Sequence, residues 1–307
     1  MVSNASWAAE QLDIYYENRT GKYHFLKCKE TISIADNKTA GPMTIPYFGG
    51  STVAFLPLQN MTDNYQSIIT SASTVNAATL FPSDIDKTIL SGYRAQKDIL
   101  LDLYSSAHAA VEEIAWGGGN TVCIATIRPL SRGSIAINTT DPREPPVYDF
   151  GTFSHPTDLE IAVRALKRVR EWMASEPMRE IGASETYPGL NASSDQEIAA
   201  AVKQIATSSW QHPTSSCAML KRELGGVVDP ELRVYGVDGL RIVDASIFPM
   251  AVAGHTSSSV YAVAEKVSMI ALSFVLKVCL LTVRAGSGYH QGRTEVSSTG
   301  QTRLQNA

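Results

Sequence analysis

Gly225-Gly226-Val227-Val228-Asp229-Pro230-Glu231-Leu232-Arg233-Val234-Tyr235-Gly236-Val237-Asp238-Gly239-Leu240-Arg241-Ile242-Val243-Asp244-Ala245-Ser246 is the stretch on which the fold assignment turns. Leu240-Arg241-Ile242-Val243, entered from Gly239, is short and mostly apolar and predicts a β-strand. Asp244-Ala245-Ser246 then marks its carboxyl end, the place where open α/β sheets hold ligands. Beyond the loop 248–255, the segment Thr256 to Leu272 carries Val260, Ala264, Val267 and Ala271 on one face, so a helix is expected to begin near Thr256 to Ser258. His255 therefore stands beside an expected helix amino terminus.

Working outward, the segment Trp210-Gln211-His212-Pro213-Thr214-Ser215-Ser216-Cys217-Ala218-Met219 holds a second histidine in an unusual setting. Proline after His212 disfavours helical backbone there and places it in an extended segment or loop. A loop histidine can face a cavity, although either histidine taken singly is more often a hydrogen-bonded structural residue. Further upstream, Pro156 to Met173 repeats Leu159, Val163, Leu166, Val169 and Met173 at helical spacing, with Arg164, Lys167, Arg168 and Arg170 on a solvated outer face. Thr121 to Ile127 and Ser134 to Asn138 predict two strands joined through the turn-rich link Arg128-Pro129-Leu130-Ser131-Arg132-Gly133. Tyr15 to Gly21 looks like a helix end with a glycine stop.

With 44% apolar residues and a net charge of -4, the chain is globular and lacks the basic stripe that nucleic-acid binding needs. Cys28, Cys123, Cys217 and Cys279 form no C-x-x-C pair, so neither a zinc site nor a redox dithiol is suggested; His212 and Cys217 supply two zinc ligands where a structural site uses four. Asn4, Asn18, Asn37, Asn60, Asn138 and Asn191 each head an N-x-S/T triplet. Chance gives roughly 1.8 for this composition, and the excess favours a secretory-pathway ancestry. Met1 to Leu12 has no apolar run after a basic start and does not read as a signal peptide. The apolar segment Val267 to Val283 is interrupted by Lys277 and falls short of the ~20 residues of a membrane span, so no anchor is expected.

His212-Pro213-Thr214-Ser215-Ser216-Cys217-Ala218-Met219, the stretch Val227 to Ser246, Gly254-His255-Thr256 and Ala264-Glu265-Lys266, in that order, resemble the glucose-methanol-choline oxidoreductases. A weaker likeness runs through Arg128 to Ser134 and Asp141-Pro142-Arg143. The resemblance implies an α+β fold: a mainly antiparallel-sheet substrate domain with helices over residues 13–205, after an amino-terminal segment 1–12. Residues 206–272 would return as the terminal strand and helix of a Rossmann-like FAD-binding domain, and 273–307 form a polar tail expected to be disordered.

It also implies FAD as cofactor and a small-molecule alcohol as substrate, with His212 as the base that takes the hydroxyl proton and His255 as its partner. Asp244 and Ala245 match positions that approach the cofactor, and His255, Thr256 and Ser257 positions beside its ring. Three departures stand out. No Gly-x-Gly-x-x-Gly turn occurs, and Trp116-Gly117-Gly118-Gly119 reads as a loop. Ser215 occupies a position where the family usually has glycine, which puts the local backbone geometry in question. The tail from about Ser273 departs from the pattern. The sequence therefore suggests a truncated member; if a separate chain supplied the flavin-binding half, the two would meet across an apolar interface, and the alternative is a non-catalytic module lacking the pyrophosphate-binding half. Poor solubility follows from either, since a sheet edge would be left unpaired.

Overall fold

The computed structural model describes residues 52–116, 122–180, 182–207, 209 and 212–269. The expected helix stop at Tyr15 to Gly21, the glycine run 117–119, Asn4, Asn18 and Asn37, and the tail 273–307 lie outside the described residues. Strands β1 (Thr52–Leu56), β2 (Glu112–Trp116) and β3 (Val122–Thr126) form one sheet in that spatial order, all antiparallel, with Val53 opposite Ala115 and Ile114 opposite Ile124. A separate hairpin pairs β4 (Ser134–Ala136) with β5 (Val147–Asp149). Helices α1 (Tyr65–Thr74), α2 (Lys87–Ser105), α3 (Pro156–Met173), α4 (Glu176–Glu180) and α5 (Asp195–Ile205) complete this mixed architecture, followed by α6, residues 256–269. The chain falls into two compact units, Met1–Thr256 and Ser257–Ala307. In the second, Ser268 Oγ donates to the Ala264 carbonyl along α6. No helix among the described residues is long and apolar enough to cross a membrane.

Local sequence explains the helix boundaries. His155 caps α3 by accepting from the Thr157 amide through Nδ1 at 3.3 Å, Pro156 opens the first turn, and Asp158 adds an acid there. Asp86 caps α2 through the Thr88 amide, and Ser194 with Glu197 makes a reciprocal capping box on α5. The span expected for α3 is the span found. The strand expected at Thr121 to Ile127 forms as β3, and that at Ser134 to Asn138 is shortened to β4.

Leu240 to Val243 corrects the expectation of a terminal strand. It folds back on residues 232–234, with Val234 N donating to Leu240 O and Ile242 N to Leu232 O, and makes one bridge, Arg233 to Arg241. Gly236 and Gly239, both at φ +76°, permit the tight reversal between them. The segment's backbone bonds are thus spent locally, and a parallel strand would need neighbouring strands that the described residues do not supply.

The core of the first unit gathers Leu58, Ile68, Leu100, Tyr104, Val111, Leu130 and Ile161 where α1, α2, α3 and the sheet meet. The link 128–133 is knotted into it. Asp158, 2% exposed, accepts from the Leu130 amide at 2.9 Å and the Ser131 amide at 2.7 Å. Ser131 Oγ accepts from the His155 amide, Tyr93 donates to the Leu130 carbonyl, and Arg132 lies over the Tyr93 ring while donating to the carbonyls of Pro129 and Ser131. Gly92 of α2 is equally obligatory: a Cβ there would sit 2.1 Å from the Leu224 carbonyl oxygen.

Removing the Asp158 carboxylate leaves two buried amides unpaired, so Asp158→Ala is expected to cost about 3–5 kcal/mol in urea unfolding. Glu112 behaves oppositely. It is fully buried, neither carboxyl oxygen has a hydrogen bond of good geometry, and burial pushes its acid up to about 8, tempered by the neighbouring Thr126 and raised further by Asp158 and Glu113. An acid whose folded pKa lies above its unfolded value binds more protons folded, so it lowers stability progressively as pH rises from about 4.5 to about 8. Glu112→Gln is expected to flatten that decline, which thermal melts across this range would register.

Candidate functional site

Three sequence motifs that are far apart along the chain meet in the first unit. The Ser215, Cys217 and Met219 amides donate to the carbonyls of Ala245, Ser246 and Ile247 at 3.3, 2.9 and 2.8 Å, so the segment after His212 is laced to the turn that begins at Asp244. Asp244 holds that turn itself by accepting from the Ser246 amide at 2.8 Å. This lacing delivers His212 to Thr256, whose Oγ1 lies 2.9 Å from its Nδ1. The rings of His212 and His255 then stack, centroids 5.6 Å apart and planes 15° from parallel.

A fourth component comes from the sheet. Glu113 of β2, 2% exposed, places Oε1 at 2.8 Å from His255 Nε2. Since a carboxylate can only accept, His255 Nε2 carries hydrogen in this contact. Glu113 therefore fixes the imidazole's orientation. Cys123 on the adjacent strand has its thiol pushed up by burial and then by Glu113, so it stays protonated and is no nucleophile.

Of the residues expected from the sequence, His212, His255 and Thr256 come together directly, and Asp244 and Ala245 are joined to them through the backbone lacing. Ser257 opens the second unit. Glu113 was not anticipated. Its signal, an acid inside Val111-Glu112-Glu113-Ile114-Ala115-Trp116, is the pairing of two acids with an apolar run that could bury them.

A cavity of about 840 Å³ lies between β3, α3 and α5 and contains neither histidine. Glu112, Asp158 and the pair Arg170–Glu185 stand in its otherwise mainly apolar wall. The Arg170 guanidinium holds Glu185 bidentately at 2.8 Å and also donates to the carbonyls of Gly189 and Ala192, so these charges are committed to the 185–192 loop. The residues expected from the sequence lie instead around the paired histidines.

Ser215 adopts φ +74°, in the left-handed region where a side chain is strained. The departure from glycine noted in the sequence is thus felt in the backbone. Ser215→Gly is expected to raise stability by about 0.5–1 kcal/mol in urea unfolding, the relief of strain being partly offset by glycine's entropy.

Residues 129–264 match the family model described as GMC oxidoreductase. A dehydrogenase of Emericella nidulans, xptC, is 33% identical over 271 residues, covering 88% of this chain and 40% of the relative. Among solved structures, an FAD-dependent oxidoreductase from Chaetomium thermophilum is 28% identical with a TM-score of 0.71, covering 87% of this chain and 43% of the other. A fungal aryl-alcohol oxidase is 30% identical with a TM-score of 0.70, covering 89% and 43%. The chain thus spans about two fifths of the length of the relatives it matches.

Proposed function

This chain carries the carboxy-terminal region of the GMC oxidoreductases, a flavin-dependent family, and from that premise we propose that it contributes the acid–base half of an alcohol-oxidising site. The observation that carries the reading is the stacked pair His212 and His255, each ring anchored by a different neighbour, Thr256 or Glu113.

His212 acts as the base. With Nδ1–H donating to Thr256 Oγ1, the lone pair sits on Nε2, and that nitrogen accepts the substrate hydroxyl proton. His255, oriented by its contact with Glu113, is the partner that stands beside the substrate oxygen as the proton leaves. Near-parallel packing keeps the two imidazoles in register without either changing rotamer during the transfer.

FAD, when bound, supplies the hydride acceptor for the carbinol carbon. The residues fit its ring end. Asp244 is exposed, and its second carboxylate oxygen carries no hydrogen bond among the described residues. Ala245 lies in the turn that Asp244 holds, and Thr256 and Ser257 are the first residues of α6, directly after His255. An Asp244 oxygen and the Thr256 side would meet polar edges of the cofactor.

The test is the visible spectrum of the purified chain with added FAD, followed by an aryl or aliphatic alcohol without oxygen. Bound flavin that bleaches with alcohol, at a rate lowered about 10²–10⁴-fold in His212→Ala, supports the assignment. Flavin that bleaches equally fast in His212→Ala overturns it, and a chain that retains no flavin alone is a module whose site another polypeptide completes.

A further inference from the structure

We propose that Asn138 carries an N-linked oligosaccharide that covers the exposed apolar hairpin β4–β5. The hairpin has little of its own packing. Ile137 is 89% exposed, Tyr148 53%, Val147 51% and Ile135 47%, and every residue of both strands is classed as exposed. Tyr148 and Phe150 stack at 6.2 Å with planes 11° apart, which joins two ring surfaces into one wider apolar face. Contiguous exposed apolar residues of this kind mark a face that something covers.

The sequence places an acceptor beside it. Asn138-Thr139-Thr140 follows Ile137 directly and meets the N-x-S/T requirement. Asn138 and Thr140 are exposed, and neither side chain makes a hydrogen bond among the described residues. Thr139 Oγ1 accepts from the Asp141 amide, and Asp141 binds the Arg143 backbone and guanidinium, so the loop is a stable turn that presents the acceptor. Asn60 and Asn191, the other triplet asparagines among the described residues, are likewise exposed with uncommitted side chains. Asn76 heads no triplet, and its side chain is committed to capping a turn by accepting from the Ala78 amide.

The modification is a glycosyl transfer from a lipid-diphosphate-linked oligosaccharide. The Asn138 side-chain nitrogen forms a bond to the anomeric carbon, the bond from that carbon to the diphosphate oxygen breaks, and the displaced amide proton leaves with the diphosphate. A sugar ring has an apolar C–H face that packs on an aromatic ring, while its hydroxyls stay in water. A glycan rooted three residues beyond Ile135, the partner of Tyr148, can lie on this face and remove it from solvent.

The experiment is secretion of the full chain from yeast behind an added leader, followed by amidase release of glycans in ¹⁸O water and peptide mass spectrometry. Asn138 is expected to appear as ¹⁸O-labelled aspartate, and Thr140→Ala to abolish the label there while leaving Asn60 and Asn191 unchanged. Both Thr140→Ala and the folded wild type after enzymatic deglycosylation should bind an apolar fluorescent dye at least about two-fold more strongly and elute earlier from a sizing column. An unlabelled Asn138 overturns the modification. A labelled Asn138 whose removal leaves dye binding unchanged in both preparations overturns the covering role.

Discussion

The carboxylate of Asp158 holds the first unit together. One side chain in the first turn of α3 takes the two amides of Leu130 and Ser131, and so fastens the link that leaves β3 to the helix that packs across the sheet. Burial raises its acid, and the amide and hydroxyl donors around it, with Arg132 nearby, pull the other way. Around that grip, Tyr93 and Tyr104 of α2 bond the carbonyls of Leu130 and Arg128, and Arg128 reaches back to the Ala110 carbonyl just before β2. Each element that frames the site is thereby tied to one short irregular segment, whose backbone groups would otherwise be buried without partners.

Strand β2 carries this rigidity to the histidine pair. Its two adjacent glutamates project to opposite faces of the sheet, as strand geometry requires. Glu112 faces the α3 side, opposite Thr126 and in the wall of the cavity, where burial keeps its acid protonated at neutral pH. Glu113 faces the other way and meets His255. A one-residue slip of register would turn every side chain of β2 to the opposite face and take Glu113 away from the histidine. The antiparallel pairing with both β1 and β3 resists that slip, and α3 adds the edge-to-face contact of Trp116 with Trp172 at 5.7 Å.

The histidine pair depends on a different device. His212 is carried on a segment without regular secondary structure, and its position is set by three backbone bonds from residues 215–219 to residues 245–247. Ser215 holds its left-handed backbone in this segment, a strain that persists because the bonds on either side over-determine it. The placement of His212 is thus obtained from main-chain pairing between two loops, with the helix and sheet framework acting one step behind.

The sequence by itself determined the pieces whose signals are local: α3 from its 3.6-residue periodicity and proline start, β3 from its β-branched run, the loop setting of His212 from the following proline, and the start of α6. The order of motifs from His212 to Lys266 also determined the family and hence the two histidines as site candidates. Tertiary structure decided what no local pattern encodes. α1, rich in serine and threonine, is helical because Ile68 and Ala72 bury in the core. Leu240 to Val243, which reads as a strand, pairs instead with its own neighbours across two glycines, because hydrogen-bond partners are a property of the assembled chain. Glu113 belongs to the site for the same reason: its contact with His255 spans 142 residues, and only the register of β2 and the lacing of the later loops bring the two within 2.8 Å.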